Sequence, residues 1–258
     1  MRKNCLDLTG RMAAVLGGTS GLGKAISTGL AAHGADVVPG GRRADALACV
    51  CDAIRRLGGQ TIETTVDITN RQSITEFRDV LLRKFGRVDI LVNAAGVTFR
   101  KPTVDISDGD WSGLFETNLD GVLRSCQIFY EPLKASGAGR IINIASLGSY
   151  VAFQEVAAYC ASKAAVLSLT RSLAIEWAED NICVNAIAPG VFPTELNSKL
   201  LSGTERGREI LLRTPMNRFG DPQEIVGAAV LLASQGASFI TGHCIAVDGG
   251  FLASGVNS

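Results

Sequence analysis

The feature that most restricts the fold is an alternation. Short apolar runs follow one another along the chain, and stretches with helical periodicity separate most of them. The runs fall at 12–16, 36–39, 60–66, 89–92, 140–145, 182–187 and 244–247, and read as buried strands. Residues 21–33, 44–57, 71–85, 111–133 and 156–178 read as helices. Leu22, Ala25, Ile26, Gly29 and Leu30 form one inward stripe, and Leu47, Val50, Cys51, Ile54 and Leu57 the next. Ile74, Phe77 and Leu81 form a third. Gly34 and Gly58 stand where two of the helices should stop, and Asn70 is placed to cap another. Asp221, with Pro222 after it and Glu224 three residues on, opens a later helix. Residues 191–214 read as an irregular or weakly helical flap. Strands that alternate with helices predict right-handed crossovers and helices on both faces of a parallel sheet. The expectation is one α/β domain over 1–258, a doubly wound parallel sheet of about seven strands.

Composition narrows the function classes. Hydrophobic residues make up 47%, enough for a large core without disulfides or metals. Formal net charge is zero and Lys/Arg show no cluster larger than adjacent pairs such as Arg42-Arg43 and Arg55-Arg56, which speaks against a nucleic-acid partner. Seven scattered cysteines and two histidines lack metal-ligand spacing, so the thiols read as reduced and no metal is expected. Residues 1–10 are polar and carry no signal core, and no apolar run approaches the roughly 20 residues that span a bilayer. A cytoplasmic protein with no membrane partner is the expectation.

The turn after the first run reads Gly17-Gly18-Thr19-Ser20-Gly21-Leu22-Gly23. Glycines there let backbone approach a pyrophosphate, and the helix that follows points free N–H groups and its positive end at it. A plain tight turn is the alternative. At the end of the second run, an acidic residue would bond a ribose hydroxyl and an Arg would pair with a 2′-phosphate. The chain has Gly41-Arg42-Arg43 and no carboxylate, which favours NADP(H), with NAD(H) as a second cofactor. The competing reading is a solvated helix start.

Tyr159 and Lys163 are four apart and share a helix face, and Ser146 lies just past the fifth run. Open α/β sheets bind ligands at that carboxyl edge. A free Tyr, with a pKa near ~10, is too weak an acid for efficient proton transfer at neutral pH. A neighbouring Lys⁺ and a cationic oxidised nicotinamide should lower it. Tyr159 would then exchange a proton with an alkoxide or alcohol while Ser146 hydrogen-bonds the same oxygen. Taken alone, the pair could equally be a packed tyrosine and a solvated lysine.

In order along the chain, these motifs resemble the short-chain dehydrogenase/reductase family, whose fold is the Rossmann type. Gly17, Gly21 and Gly23 match its glycine loop. The resemblance implies that Asp67-Ile68 meets adenine and that Asn93-Ala94-Ala95-Gly96 forms the family's strand end. It implies that Asn118 kinks the central helix and holds a water in a proton relay. It also makes Ser146, Tyr159 and Lys163 catalytic, with Tyr159 and Lys163 also against the cofactor. Pro189-Gly190-Val191 and Thr194 would grip the carboxamide. Leu16 departs from the family's Thr and cannot tie the glycine loop by a hydroxyl. The resemblance further implies a homotetramer.

Substrate choice is less legible. Residues 94–98, 189–194 and 248–252 resemble gluconate 5-dehydrogenase-like members, which act on sugar acids or polyols. The 3-oxoacyl-ACP reductases share much of the framework. Gln154, Glu155, Arg100, Lys101, Asn197 and Lys199 could meet a sugar acid, whereas Tyr150, Val151, Phe153 and Phe192 could line an acyl groove or pack the flap. A non-catalytic cofactor-binding regulatory protein would not need Ser146, Tyr159, Lys163 and Asn118 together.

Overall fold

The computed structural model describes residues 4–193, 201 and 203–255. Its sheet has six parallel strands: β1 (Met12–Leu16), β2 (Asp36–Gly40), β3 (Ile90–Asn93), β4 (Arg140–Ile144), β5 (Cys183–Pro189) and β6 (Cys244–Val247). Their spatial order is β2-β1-β3-β4-β5-β6. Chain direction through the sheet reverses between β1 and β3, so a crevice opens beyond their carboxyl ends.

Period-two alternation decides which helices each strand residue meets. On one face Met12, Ala14 and Leu16 of β1 pack with Ile74, Phe77 and Leu81 of α3 (Arg71–Phe85). Val122, Cys126 and Phe129 of α5 (Gly121–Ala135) and Val166 of α6 (Ala157–Glu176) complete that layer. On the other face Ala13 and Val15 meet Ile26 and Leu30 of α1 (Gly21–Ala32), and Val50 and Ile54 of α2 (Ala44–Arg56). Ala229 and Val230 of α8 (Val226–Ala233) close the second layer. Each such fully buried aliphatic or aromatic side chain contributes roughly 1.5–3 kcal/mol. Among the described residues no helix is long and apolar enough to cross a membrane.

Several expected helix ends are as the sequence implied. Asn70 accepts from the Ser73 N–H at 3.2 Å. Asp221 and Glu224 form a reciprocal cap around Pro222, though the first turn, Pro222–Ile225, is a 3-10 turn that leads into α8. Gly34 takes φ +95°, the left-handed geometry that ends α1.

Other expectations need correction. Residues 60–66 are not a strand. The segment runs along the outer edge of β2 with two backbone hydrogen bonds, one near each end: Val37 N–H donates to the Gln60 carbonyl at 3.1 Å, and Val66 N–H to the carbonyl of Gly41, just past β2, at 3.0 Å. Between them the outward donor of β2 should come from Pro39, which has no N–H, so the ladder breaks there. Leu57, expected inward, is 47% exposed. The long helix expected over 111–133 starts earlier, as α4 (Asp108–Phe115), where Ser107 and Asp110 form a capping box. A π turn at Glu116–Asp120 then separates it from α5. Within the presumed flap, Glu205–Arg213 is a regular helix, α7.

Candidate active site

The glycine turn has no room for side chains. A Cβ on Gly17, which sits at φ +82°, would lie 2.4 Å from the Ala95 nitrogen. A Cβ on Gly23 would lie 2.0 Å from the Gly17 carbonyl oxygen. Close approach of β1, the turn and the end of β3 therefore dictates glycine at both positions. The hydroxyl tie that Leu16 cannot make is replaced by backbone: the Gly17 and Gly18 N–H groups both donate to the Gly40 carbonyl, at 2.9 and 3.1 Å. Leu16 itself is buried in the core. At the start of α1 the Ser20 side chain makes no cap, and no acidic residue stands in the first turn. The leading N–H groups and the helix dipole thus face an anion site. This cradle fits a dinucleotide pyrophosphate.

The sequence expected an adenosine end at Arg42, Arg43 and Asp67. Both arginines are exposed, and neither forms an ion pair among the described residues. A Cβ on Gly41 would come within 2.7 Å of Thr19 Oγ1, so no larger side chain fits there without displacing Thr19. Asp67 Oδ1 accepts from the Thr69 N–H at 3.0 Å and from its hydroxyl at 2.8 Å. Those bonds, the backbone one foremost, hold its carboxyl below the usual range, with Arg42 adding to the effect. Ile68 packs beneath against Gly121.

Next to the cradle lies the catalytic candidate cluster. Lys163 is buried, and its Nζ donates to the Ile144 carbonyl at 2.7 Å, 5.9 Å from the centre of the Tyr159 ring. Burial alone pulls its pKa down to about 8. Ser146 lies two residues past the end of β4, and its Oγ accepts from the Gly148 N–H at 3.1 Å. Ser149 fastens this turn to α6 by donating to the Lys163 carbonyl at 2.8 Å. The expectation that Lys163 lowers the Tyr159 pKa does not hold in the protein alone. Burial pushes the phenol up, the hydrogen bond with Ser146 opposes this, and Cys160 adds to the rise.

Asn118 sits in the π turn, fully buried. Its Oδ1 accepts from the Val97 N–H at 2.8 Å, and its Nδ2 donates to the Val97 carbonyl at 2.9 Å and to Ser162 Oγ at 3.1 Å. Added to Gly96, a Cβ would stand 3.4 Å from both Asn118 Oδ1 and Lys163 Nζ, so these two groups face one small space. Farther along, Gly190 donates to the Val247 carbonyl at 2.8 Å and lies tight against Asp248. Thr194, Asn197 and Lys199 lie outside the described residues.

Sequence reading missed a polar chain beneath the cluster. Asn93 Nδ2 donates to Asn143 Oδ1 at 2.8 Å, and Asn143 Nδ2 to Thr170 Oγ1 at 3.0 Å. All three are buried, and the two asparagines are directly paired across β3 and β4. That register was the missing signal. It also missed a cleft of ≈ 380 Å³ between Val191, Phe192, Met216, Arg218 and Gly249, which does not include Ser146, Tyr159 or Lys163.

At the mouth, Arg100 pairs with Glu155, and the Lys101 N–H donates to the Glu155 carbonyl at 2.8 Å. Lys101 Nζ lies 2.7 Å from Asp110. Phe153 and Phe251 pack with ring centres 5.9 Å apart, and Phe192 is buried against Gly220. Both rings are thus spent on packing.

Known proteins match over the same span. A family profile described as enoyl-(acyl carrier protein) reductase matches residues 17–252. The 2-dehydro-3-deoxy-D-gluconate 5-dehydrogenase of Dickeya dadantii is 37% identical over 97% of this chain and 98% of its own. The gluconate 5-dehydrogenase of Gluconobacter oxydans is 35% identical over 96% of this chain and 97% of its own. A solved gluconate 5-dehydrogenase from Burkholderia cenocepacia, in complex with NADP and tartrate, superposes with a TM-score of 0.92 at 35% identity, covering 97% of this chain and 98% of that one. Fold, cradle and full-length relatives agree, and the chain belongs to the short-chain dehydrogenase/reductase family of oxidoreductases.

Proposed function

We propose that the chain is an NADP(H)-dependent oxidoreductase that interconverts a hydroxyl and a carbonyl on a sugar acid or related polyol. The observation that carries this reading is the buried Lys163 ammonium beside Tyr159, with Ser146 hydrogen-bonded to the phenol. Gly17, Thr19, Ser20, Gly21, Leu22 and Gly23 hold the pyrophosphate. Arg42 and Arg43 take the 2′-phosphate, Asp67 and Ile68 the adenine, and Asn93 to Gly96 the adjoining wall. Pro189, Gly190, Val191 and Thr194 serve the carboxamide, and NAD(H) is a weaker second cofactor. Hydride exchange with the substrate carbon is the chemistry a nicotinamide supplies when bound.

The chain's own residues handle the proton. Tyr159 donates it to the developing alkoxide or removes it from the alcohol, and Ser146 hydrogen-bonds the same oxygen. Lys163 holds the cofactor ribose, and only together with the cationic oxidised nicotinamide would it favour the phenolate. Asn118, at the space it shares with Lys163, holds the relay water. An acyl-thioester substrate is less favoured, because Phe153 and Phe192 are committed to packing. We further propose one domain with its flap near 191–214, a cytoplasmic location and a homotetramer; exposed Ile175 and Phe239 are consistent with buried faces in an assembly.

The test is NADPH oxidation with 5-keto-D-gluconate and an acetoacetyl thioester in parallel. Turnover of the keto acid is expected, with a loss of at least roughly a hundredfold in Tyr159→Phe and unchanged NADPH binding. Turnover of the thioester alone overturns the substrate class, and substantial activity in Tyr159→Phe overturns the proton assignment.

A further inference from the structure

A carboxylate drawn into a cleft needs a cation whose charge is not already spent. Most cations around this mouth are committed. Arg100 pairs with Glu155, Lys101 with Asp110, and Arg218 makes a two-pronged bond to Glu224 at 2.7 and 2.6 Å. Arg213 is exposed, and its guanidinium lies over the Phe251 ring at 4.9 Å.

Arg206 differs from all of them. It is half-buried in the first turn of α7, and no carboxylate pairs with it among the described residues. Its Nη1 donates to the Gln154 carbonyl at 3.2 Å, on the loop that leads into Tyr159. The helix that carries it buries Ile210, and a Cβ on the neighbouring Gly207 would lie 1.9 Å from the carbonyl oxygen of Leu201 in the chain just before it. A guanidinium carries five donors, and the Gln154 carbonyl takes one. The rest keep the planar geometry that suits a carboxylate.

We propose that Arg206 is the specificity-determining residue that reads the carboxylate of the substrate, with the Gln154 carbonyl holding its guanidinium in orientation. This rests on the sugar-acid reading above. The competing role is a plain structural pin between α7 and the loop. Ile210 and the Arg213–Phe251 contact already anchor that helix, so the pin is redundant.

Arg206→Gln separates the two roles, because its amide can still donate to the Gln154 carbonyl but carries no charge. The KM for 5-keto-D-gluconate should rise roughly ten- to hundredfold, the range of a lost charge-assisted bond. The kcat should stay within about threefold and the Kd for NADPH should not move. Arg206→Lys keeps the charge without the planar fork, and a rise of several-fold is expected; it also stands in if the Gln variant does not fold. An unchanged KM in either folded variant overturns the proposal. Equal losses in kcat and NADPH affinity overturn it in favour of the pin. If the unmodified enzyme does not use the keto acid at all, the sugar-acid reading falls with it.

Discussion

The cofactor cradle and the substrate mouth lie within one molecule but are held in different ways. Around Gly17 and Gly23 the contacts are backbone to backbone, and an added methyl has nowhere to go. Around 150–156 a few bonds to backbone carbonyls are joined by side-chain pairs, such as Arg100 with Glu155 and Phe153 with Phe251. Backbone contacts constrain residue identity, because any Cβ clashes. Side-chain pairs constrain only chemistry, and partly exposed ion pairs contribute at most about 1 kcal/mol. A cradle of this kind suits a fixed cofactor, and a mouth of this kind can change substrate without disturbing the fold.

The largest expected effect breaks the cradle. Gly23→Ala puts a methyl 2.0 Å from the Gly17 carbonyl oxygen, where only backbone can yield. Overpacking of this severity costs roughly 1–3 kcal/mol or more, and it falls on the turn proposed to hold the pyrophosphate. NADPH binding followed by fluorescence should weaken by at least tenfold, with a lowered thermal midpoint. Binding within twofold of the unmodified protein would mean that the turn is not the phosphate site.

The second expected effect concerns the buried ammonium. The folded-state pKa of Lys163, about 8, lies below its unfolded value of 10.5, so the unfolded chain binds more protons between those values. Stability should therefore rise with pH from about 8 to 10.5, and the penalty is fully present below that window. Lys163→Met removes it and should gain on the order of 2–3 kcal/mol near neutral pH, less whatever the lost bond to Ile144 contributed. Denaturant midpoints of both proteins at pH 7 and 10 check this. A gap that does not shrink as pH rises would show that burial is not what lowers Lys163.

This contrast also explains which parts could be read from sequence. Gly17 and Gly23 were legible because local geometry admits few alternatives there, whereas Asn118 came only from the family resemblance, and Ser146, Tyr159 and Lys163 from their spacing joined to that resemblance. The absent seventh strand was not legible. Residues 60–66 have a strand's composition, and the obstacle, the missing N–H of Pro39, lies on another segment. The π turn was not legible in the spacing, since Glu116–Asp120 keeps helical periodicity on both sides, and only the family resemblance put a kink at Asn118. Arg100 and Lys101 were flagged at the mouth, but no local pattern records that they meet Glu155, on a loop, and Asp110, in the first turn of α4.

A third expectation lies between the two regions. Arg42 is exposed, so its loss should leave the fold intact. Arg42→Ala should raise the KM for NADPH by roughly ten- to hundredfold, the range of a charge-assisted phosphate contact, and that for NADH far less. Equal effects on both would remove Arg42 from the 2′-phosphate site.

The smallest effect should come from the mouth, and it bears most directly on the contrast. Glu155 holds φ +64°, a left-handed geometry that Asn tolerates better than Glu. Glu155→Asn relieves that strain and loses the Arg100 pair, whose side chains are 44% and 27% exposed. Each contribution is about 1 kcal/mol or less and they oppose each other, so the thermal midpoint should barely move. The Lys101 bond to the 155 carbonyl is backbone and survives the change. The freed Arg100 adds an uncommitted cation at the mouth, so the KM for a carboxylate substrate should fall by a few-fold while NADPH affinity stays constant. A loss of more than about 2 kcal/mol, well beyond what an exposed ion pair contributes, would mean that the mouth is as tightly determined as the cradle. Substrate choice would then be built into the fold itself.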